Sequence, residues 1–344
     1  MLILGHIWKC RAALVFGCTL AGLQLEGQDL ADTSYITTYQ KGLVGRFYFS
    51  QKYTTVTMKG YEGEKFRYRP NTSFNIGVGA TYSAFTLNLA YKAPFWNNDK
   101  EKGKTKYLDL QCHIYPRHWM IDFYGQNYKG YYAFPKEGAH AEPEFYYYRP
   151  DVRVNLYGLS MYRLFNGNRV SLRASFLQTE WQRKSAGSWL LGAEIHGGVL
   201  QGDSALIPAA LLFEYPQAGV KKMILGQWGP GGGYGYNLVL GEHLFLTALA
   251  IVNFNIGLAK EEGTERDDLR FTFSPNLQFK AAIGYNGPHW IITFTNTPNL
   301  LAVRNRGWND PYIFSTGNFR LNFAYRFVPG PRLGKKLQIL DLGK

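Results

Sequence analysis

The stretch Gly317-Asn318-Phe319-Arg320-Leu321-Asn322-Phe323-Ala324-Tyr325-Arg326-Phe327 decides the fold of this chain. From Phe319 onward its odd positions are aromatic or aliphatic, and its even positions include two arginines and an asparagine. A period of two is that of a β-strand with one apolar and one polar face. A strand of about ten residues can cross a bilayer when it is tilted. The stretch 317–327 therefore predicts a membrane-spanning strand. Its aromatic end is typical of the closing strand through which outer-membrane barrels meet their assembly machinery.

The same alternation recurs along the chain and predicts an all-β protein. Strands are expected near 43–57, 72–82, 84–92, 105–115, 118–128, 151–164, 169–181, 187–199, 232–240, 243–256, 269–285, 289–296 and 317–327. Short and long connections alternate if one more strand lies within 205–215. The total is then about fourteen strands, with twelve as the rival count, because bacterial barrels have even strand numbers. The predicted fold is a transmembrane antiparallel β-barrel with long outer loops and short periplasmic turns.

Composition favours membrane-spanning strands over membrane-spanning helices. Aromatic residues make up 16% and charged residues only 18% of the chain, and the mean hydropathy is −0.25, which excludes a bundle of transmembrane helices. In hydrocarbon every backbone amide has to be paired, so an all-β chain has to close on itself. A soluble β-sandwich with its apolar faces turned inward is the alternative that the alternation leaves open.

The chain is expected to divide into four segments. Lys9 and Arg11 precede a short apolar stretch, which predicts a signal peptide over 1–27. A periplasmic N-terminal segment follows over 28–42, the barrel occupies 43–327, and the tail 328–344 is expected to be flexible. Export by the signal peptide places the barrel in the outer membrane of a Gram-negative cell.

Charged and titratable residues on the polar faces of these strands are predicted to face the lumen. They are Asp109, His113, Asp122, Arg153, Arg173, Glu194, His196, Arg270, Lys280, Arg320 and Arg326. Basic residues outnumber acidic ones among them, and a basic wall favours anions. An equally good interpretation is that these residues form ion pairs that stiffen a closed barrel.

No catalytic, cofactor or metal motif is found. Gly103-Lys104-Thr105 lacks the rest of a phosphate-binding loop, and the glycine-rich stretch 229–235 has no βαβ context, so it is interpreted as a place where backbones approach closely. No histidine lies in a His-x-Ser arrangement, and Glu194 with His196 is interpreted as a structural pair. The protein is therefore predicted not to be an enzyme. The net charge of +13 is spread along an exported chain, which disfavours nucleic acid and favours lipopolysaccharide at basic loops such as 100–106.

Several stretches together resemble an uncharacterised family of Bacteroidetes envelope proteins, known as domain of unknown function 4421. They are Lys102-Gly103-Lys104-Thr105-Lys106-Tyr107-Leu108-Asp109, Gln126-Asn127-Tyr128-Lys129-Gly130-Tyr131-Tyr132, Arg183-Lys184-Ser185-Ala186-Gly187-Ser188-Trp189-Leu190-Leu191-Gly192, Asp203-Ser204-Ala205-Leu206-Ile207-Pro208, Gly231-Gly232-Gly233-Tyr234-Gly235-Tyr236 and 317–327. The resemblance covers about 35–327. It implies an outer-membrane barrel and no known activity. The tail after Phe327 departs from the family pattern.

Three functions are compatible with this pattern. The preferred one is a pore or envelope component for small anionic or lipid-like solutes. The alternatives are a lipid hydrolase embedded in the barrel, which would use His196 or His113, and a structural scaffold of an envelope complex. The scaffold would bind through the 129–150 loop with its Tyr146-Tyr147-Tyr148 cluster.

Overall fold

The computed structural model describes residues 31–39, 42–82, 85–93, 99–133, 146–263, 267–304 and 311–337. Its strands are β1 (Ile36–Thr38), β2 (Leu43–Lys59), β3 (Lys65–Arg69), β4 (Asn75–Tyr82), β5 (Phe85–Lys92), β6 (Lys106–Ile114), β7 (Trp119–Ala133), β8 (Tyr147–Leu164), β9 (Glu180–Gln182), β10 (Ala186–Gln201), β11 (Val220–Leu240), β12 (Leu244–Gly263), β13 (Asp267–Asn286), β14 (Trp290–Asn296), β15 (Asn299–Arg304) and β16 (Pro311–Phe327). Helical structure in these ranges is limited to the 3-10 turns Lys100–Lys102 and Ala209–Leu211, the π-helical turn Arg173–Leu177 and helix α1 (Pro331–Leu337). Within the same ranges, no helix has the length and apolar character needed to cross a membrane.

Fourteen of these strands form one antiparallel sheet that closes on itself. Closure is made by β16 and β2, which pair from Tyr312 opposite Met58 to Phe327 opposite Leu43. Ten strands form the ring, namely β2, β3, β7, β8, β10, β11, β12, β13, β14 and β16. Of the other four, β4, β6 and β15 are bonded to ring members and β5 is bonded to β4. The predicted barrel of about fourteen strands is confirmed. A closed sheet suits hydrocarbon because its backbone groups pair within the protein.

The two ends of the barrel differ. At one end the connections 115–118, 241–243 and 287–289 are short, and we call it the turn end. At the opposite end, the loop end, the connections include 60–64 and the longer 202–219. Toward the turn end, β4, β5 and β6 occupy the part of the wall that β3 occupies at the loop end, because β3 and β4 pair with successive parts of β2.

The outer face of the wall is apolar and the inner face is mostly polar over the middle of the barrel. On β16, Phe319, Phe323 and Tyr325 are exposed, whereas Asn322 and Arg326 between and beyond them are buried. The same alternation holds on β13, where Phe271 and Phe279 are exposed and Lys280 is buried. A soluble sandwich would bury the aromatic face, so this arrangement fits a barrel whose outer surface meets lipid.

Two predicted strands are wrong, and the chain there closes the ends of the barrel instead. Residues 169–181 form no wall strand; they belong to the connection 165–185, which folds into the turn end and which we call the plug segment. The alternating apolar residues that suggested a strand, such as Val170 and Leu172, are buried inside the protein rather than facing lipid. Residues 205–215 form turns and a 3-10 turn, consistent with the missing amide proton of Pro208. Two short strands that were not predicted, β3 and β15, take the place of the two wrong ones, so the total remains fourteen. Few residues alternate in either of them.

Both terminal segments lie at the turn end. Residues 31–39 run along the plug segment, where β1 pairs with β9 and the Asp32 amide donates to the Asn168 carbonyl at 2.9 Å. After β16, the tail contains α1, which begins at Pro331. The predicted signal peptide, 1–27, and residues 338–344 lie outside the described residues.

Candidate functional site

The candidate site is the lumen, where side chains from opposite walls meet. Lys280 of β13 and Asp122 of β7 belong to opposite sides of the ring, and their Nζ and Oδ2 atoms are 3.0 Å apart. Gln278 of β13 likewise donates to the Ser160 hydroxyl of β8 at 3.1 Å, although three strands of the ring lie between β13 and β8. Contacts of this kind across the barrel axis require a filled interior, as in other barrels of small strand number.

Glu194 of β10 lies at the centre of the lumen, and its side chain is fully buried. Three amide side chains donate to its carboxylate, Asn253 to Oε2 at 2.9 Å and Asn255 and Asn276 to Oε1 at 2.7 and 2.8 Å. The Tyr162 hydroxyl adds a longer bond of 3.3 Å to Oε2. A buried charge is tolerated only when it is densely hydrogen-bonded, so these donors are what allows a carboxylate here.

The glycine-rich stretch of β11 makes room for this cluster. A Cβ at Gly231 would collide with the Asn253 side-chain amide, and one at Gly229 would collide with Asn255. Both asparagines reach Glu194 across β11 because these inward positions have no side chain. The glycine-rich stretch therefore allows the side chains of β12 to approach the backbone of β11 closely. It is part of a strand and not a phosphate-binding loop.

His196 lies beside Glu194 and is equally buried. Its Nε2 is 3.2 Å from Glu194 Oε1, and its Nδ1 is 2.9 Å from the Tyr124 hydroxyl. The imidazole is thus enclosed by a carboxylate and a phenol, with 1% of its side chain exposed. This geometry orients the ring but leaves no space beside it for a substrate.

Two further carboxylates are neutralised by cations. Asp122 contacts Lys280 and also His113 Nδ1 at 2.5 Å. Asp109 contacts Lys52 at 3.2 Å and accepts from Gln126 at 3.0 Å and Tyr128 at 2.7 Å. Removing one partner of such a buried pair is strongly destabilising. The Asp122–Lys280 and Asp109–Lys52 pairs therefore stabilise the packing of the strands that they connect.

The plug segment closes the lumen at the turn end. Arg326 donates to its backbone carbonyls at Gln178 and Glu180, at 3.0 and 2.7 Å. Glu180 in turn accepts two bonds from Arg117, at 2.7 and 3.1 Å, and Ser175 bonds to Thr247 at 2.6 Å. Polar contacts to strands around the wall hold the segment in the mouth of the barrel.

An apolar cluster closes the loop end. Leu206, Ile207, Leu211 and Tyr215 of the 202–219 connection are buried there. They pack with inward residues from strands around the ring, among them Val56, Tyr68, Val154, Met223, Leu301 and Phe314. The Tyr68 hydroxyl also donates to the Leu206 carbonyl at 2.6 Å. We call this cluster the loop-end cap.

The structure places most of the predicted lumen residues on the inner face of the wall. Asp109, His113, Asp122, Glu194, His196, Lys280, Arg320 and Arg326 lie there, and Arg270 lies on the inward face near the loop-end rim, where it pairs with Asp268 at 3.1 Å.

Two of the predicted residues lie elsewhere. Arg153 alternates with the buried Val152 and Val154 and therefore lies on the outer face. Arg173 is on no wall strand; it belongs to the π-helical turn of the plug segment, where its Nε donates to the Tyr115 carbonyl at 2.6 Å.

Sequence reasoning missed the cations that anchor the plug segment from the wall. Arg46 of β2 donates to the Thr81 hydroxyl and, at 3.1 Å, to the Leu177 carbonyl. Its alternation with Phe47 and Phe49 is a signal that could have identified it as inward-facing. No group of three His, Cys, Asp or Glu side chains in the described part of the chain could hold a metal ion.

A closed antiparallel sheet with an apolar outer face and a polar, filled interior defines the class: this is a transmembrane β-barrel. The chain belongs to the family described as Domain of unknown function (DUF4421), whose model matches residues 30–327. The family predicted from the sequence stretches is confirmed.

Solved outer-membrane proteins are also similar to this chain, at low identity. The outer membrane protease OmpT from Escherichia coli is 9% identical with a TM-score of 0.35, and the match covers 85% of this chain and 98% of that chain. The OmpT outer membrane protein of Vibrio cholerae is 9% identical with a TM-score of 0.28, covering 85% and 99%. A Pseudomonas aeruginosa FadL homologue is 9% identical with a TM-score of 0.23, covering 83% and 90%. No curated protein matches the chain.

Proposed function

We propose that the protein is a non-enzymatic barrel of the Gram-negative outer membrane, exported by its signal peptide, and that it handles small anionic or lipid-like solutes without an open axial pore. The observation that carries the proposal is the filled lumen. The plug segment occupies one mouth, the loop-end cap occupies the other, and the Asp122–Lys280 pair crosses the axis between them. Lipopolysaccharide at the basic loop 100–106 and the assembly machinery at 317–327 are the partners this proposal implies.

The preference for anions rests on inward cations without a carboxylate partner. Lys52, Lys280 and Arg117 are each matched by an acidic side chain. Arg46 and Arg320 form no ion pair with a carboxylate of the described residues, and their polar contacts are to hydroxyl, amide and carbonyl oxygens. Uncompensated positive charge in a low-dielectric interior attracts anions.

The purified protein is expected to give no steady conductance in a planar bilayer. Ions cannot cross a lumen that is filled with packed and hydrogen-bonded side chains. A general-diffusion porin added afterwards to the same membrane serves as the positive control. Long-lived channel openings of the protein itself, with or without anion selectivity, would contradict the sealed barrel.

The hydrolase alternative has no support from the geometry of its candidate residues. Glu194 and His196 are buried among amide and phenol groups, and His113 is committed to Asp122. We expect no release of fatty acid from phospholipid or lipopolysaccharide by the purified barrel. The hydrolase alternative would be supported if the wild type released fatty acid and His196→Gln or His113→Gln did not. The variants would have to keep their heat-modifiable gel mobility, which shows that they are folded.

The scaffold alternative rests on Tyr146, which precedes β8, and on Tyr147 and Tyr148, the first two residues of that strand. Tyr148 donates to the Lys104 carbonyl at 2.9 Å and accepts from the Lys104 amide at 3.1 Å, and Tyr146 packs on Tyr132. These contacts bind the start of β8 to the end of β7 and to the residues before β6. They favour an internal structural role over a free docking surface.

A further inference from the structure

The wall has a gap between two consecutive strands. Among the described residues, β5 pairs only with β4 and β6 pairs only with β7. The facing edges of β5 and β6 therefore have no sheet partner. We call this gap, bounded by Thr86–Lys92 on one side and Lys106–Ile114 on the other, the seam.

The seam faces the apolar belt of the barrel. Leu87, Leu89 and Tyr91 on the outer face of β5 are 65%, 61% and 75% exposed. The inward residues of β5, including Asn88, are exposed as well, so the opening reaches from the outer surface into the lumen. Unpaired backbone at membrane depth is tolerated where it lines a polar cavity, and the seam has that character.

Two arginines lie directly behind the seam. Arg320 of β16 reaches Asn88 Oδ1 on β5 at 3.4 Å, and its guanidinium lies 3.6 Å from the centre of the Tyr48 ring. Arg46 of β2 lies close enough for the two positive charges to repel each other. The Nε atoms of both arginines are buried and have no hydrogen-bond partner among the residues that the structure describes. Two positive charges that are held together with unused donors can bind an anion through charge-assisted hydrogen bonds.

Glycines on β4 build the floor of this site. A Cβ at Gly77 would collide with the Tyr48 ring, and one at Gly79 would collide with the Asn88 side chain. Without side chains at these positions, Tyr48 lies flat against β4 and supports the guanidinium of Arg320. Stacking of an arginine on an aromatic face fixes the guanidinium plane while leaving its edge free to donate.

We propose that the seam is a lateral entry for an anionic lipid, whose headgroup binds Arg46 and Arg320 while its acyl chain stays in the bilayer against Leu87, Leu89 and Tyr91. An amphiphile is the occupant that fits, because the opening joins an apolar outer surface directly to a pair of uncompensated cations. A soluble anion has no apolar part that could contact the exposed leucines. An axial route to the arginines is closed by the plug segment and the loop-end cap. The inference deepens the proposed function and rests on it for the closed axis.

The test is lipid binding by the full chain in a neutral detergent, measured by native mass spectrometry. Phosphatidylglycerol is expected to bind at least tenfold more tightly than phosphatidylcholine of the same acyl chains. The double variant Arg46→Gln/Arg320→Gln is expected to lose that preference. Arg153→Gln on the outer face and Arg183→Gln at the surface are the matched controls, and they are expected to keep it.

Two outcomes would overturn the proposal. One is an unchanged preference for phosphatidylglycerol in a double variant that retains heat-modifiable mobility. The other is displacement of the lipid by inorganic phosphate at millimolar concentration, which would identify a site for soluble anions. If the double variant fails to fold, Asn88→Leu provides a second variant, which blocks the inner side of the seam and is expected to weaken lipid binding with both arginines in place.

Failure of this inference is distinguishable from failure of the proposed function. Conductance is recorded on the same preparations. A channel that conducts overturns the sealed axis, whereas a silent barrel with no preference for the anionic lipid overturns only the lateral site.

Discussion

Glu194→Ala is expected to lower the free energy of unfolding by at least about 3 kcal/mol, because three buried amide donors are left without an acceptor and each costs about 1–3 kcal/mol. The variant removes the acceptor of Asn253, Asn255 and Asn276 together. It also leaves a cavity in the middle of the barrel, which adds to the loss. Urea unfolding in lipid or detergent, followed by tryptophan fluorescence, measures the change.

Two further variants define the cause of that loss. Glu194→Gln keeps the size of the side chain but turns an amide donor toward amide donors, so an intermediate loss is expected. Glu242→Ala is the control: this carboxylate is exposed and pairs with Arg183 at the surface, where ion pairs contribute little. A Glu194→Ala protein as stable as the wild type would show that the asparagine cluster does not depend on the carboxylate.

Arg326→Met is expected to release the plug segment and to lower the free energy of unfolding by about 3–5 kcal/mol, because four buried hydrogen bonds to a charged group are lost and each contributes about 1.5–3 kcal/mol, whereas the removal of a buried charge offsets part of the loss. Arg326 donates to Gln178 and Glu180 in the plug segment and to Gly287 and Asn286 at the neighbouring turn. Methionine has a similar length but no donors, so these acceptors lose their partner. We expect an added protease to cleave the variant rapidly within 165–185. Mass spectrometry of the fragments locates the cleavage site.

Arg183→Met provides the control for protease access. Arg183 lies at the end of the same segment but is exposed, and its partner Glu242 is at the surface. Its replacement is expected to leave the cleavage pattern unchanged. Equal resistance of Arg326→Met and the wild type would mean that the other contacts, such as Ser175 with Thr247, hold the plug segment without Arg326.

The alternation of single strands was enough to predict the wall. In β16 and β13 every second residue is apolar over many positions, and a local period of two depends only on neighbours in sequence. The same rule failed at Val170 and Leu172, because a segment buried in the mouth of the barrel also alternates. It failed at Arg153, because the polarity of the two faces is inverted near the loop end: the apolar Val152 and Val154 of β8 face inward to the loop-end cap, and Arg153 between them faces outward.

The partners inside the lumen could not be predicted in the same way. Asp122 meets Lys280 across the axis, and Glu194 meets Asn276 from a strand that is not its neighbour. Such pairs depend on the register of every strand between them, and an error of one residue turns a side chain to the opposite face. The sequence indicates that Glu194 and His196 share a face, but not that three asparagines surround the carboxylate.

The two ends of the wall jointly clamp the plug segment, and this has a consequence for biogenesis. Arg46 belongs to the first strand of the closed ring and Arg326 to the last, and both donate to carbonyls of a segment from the middle of the chain. A nascent barrel that has not yet received its final strand lacks half of this clamp. The segment is therefore expected to be fully held only after the barrel has closed, and an unclosed barrel is expected to leave 165–185 accessible to proteases.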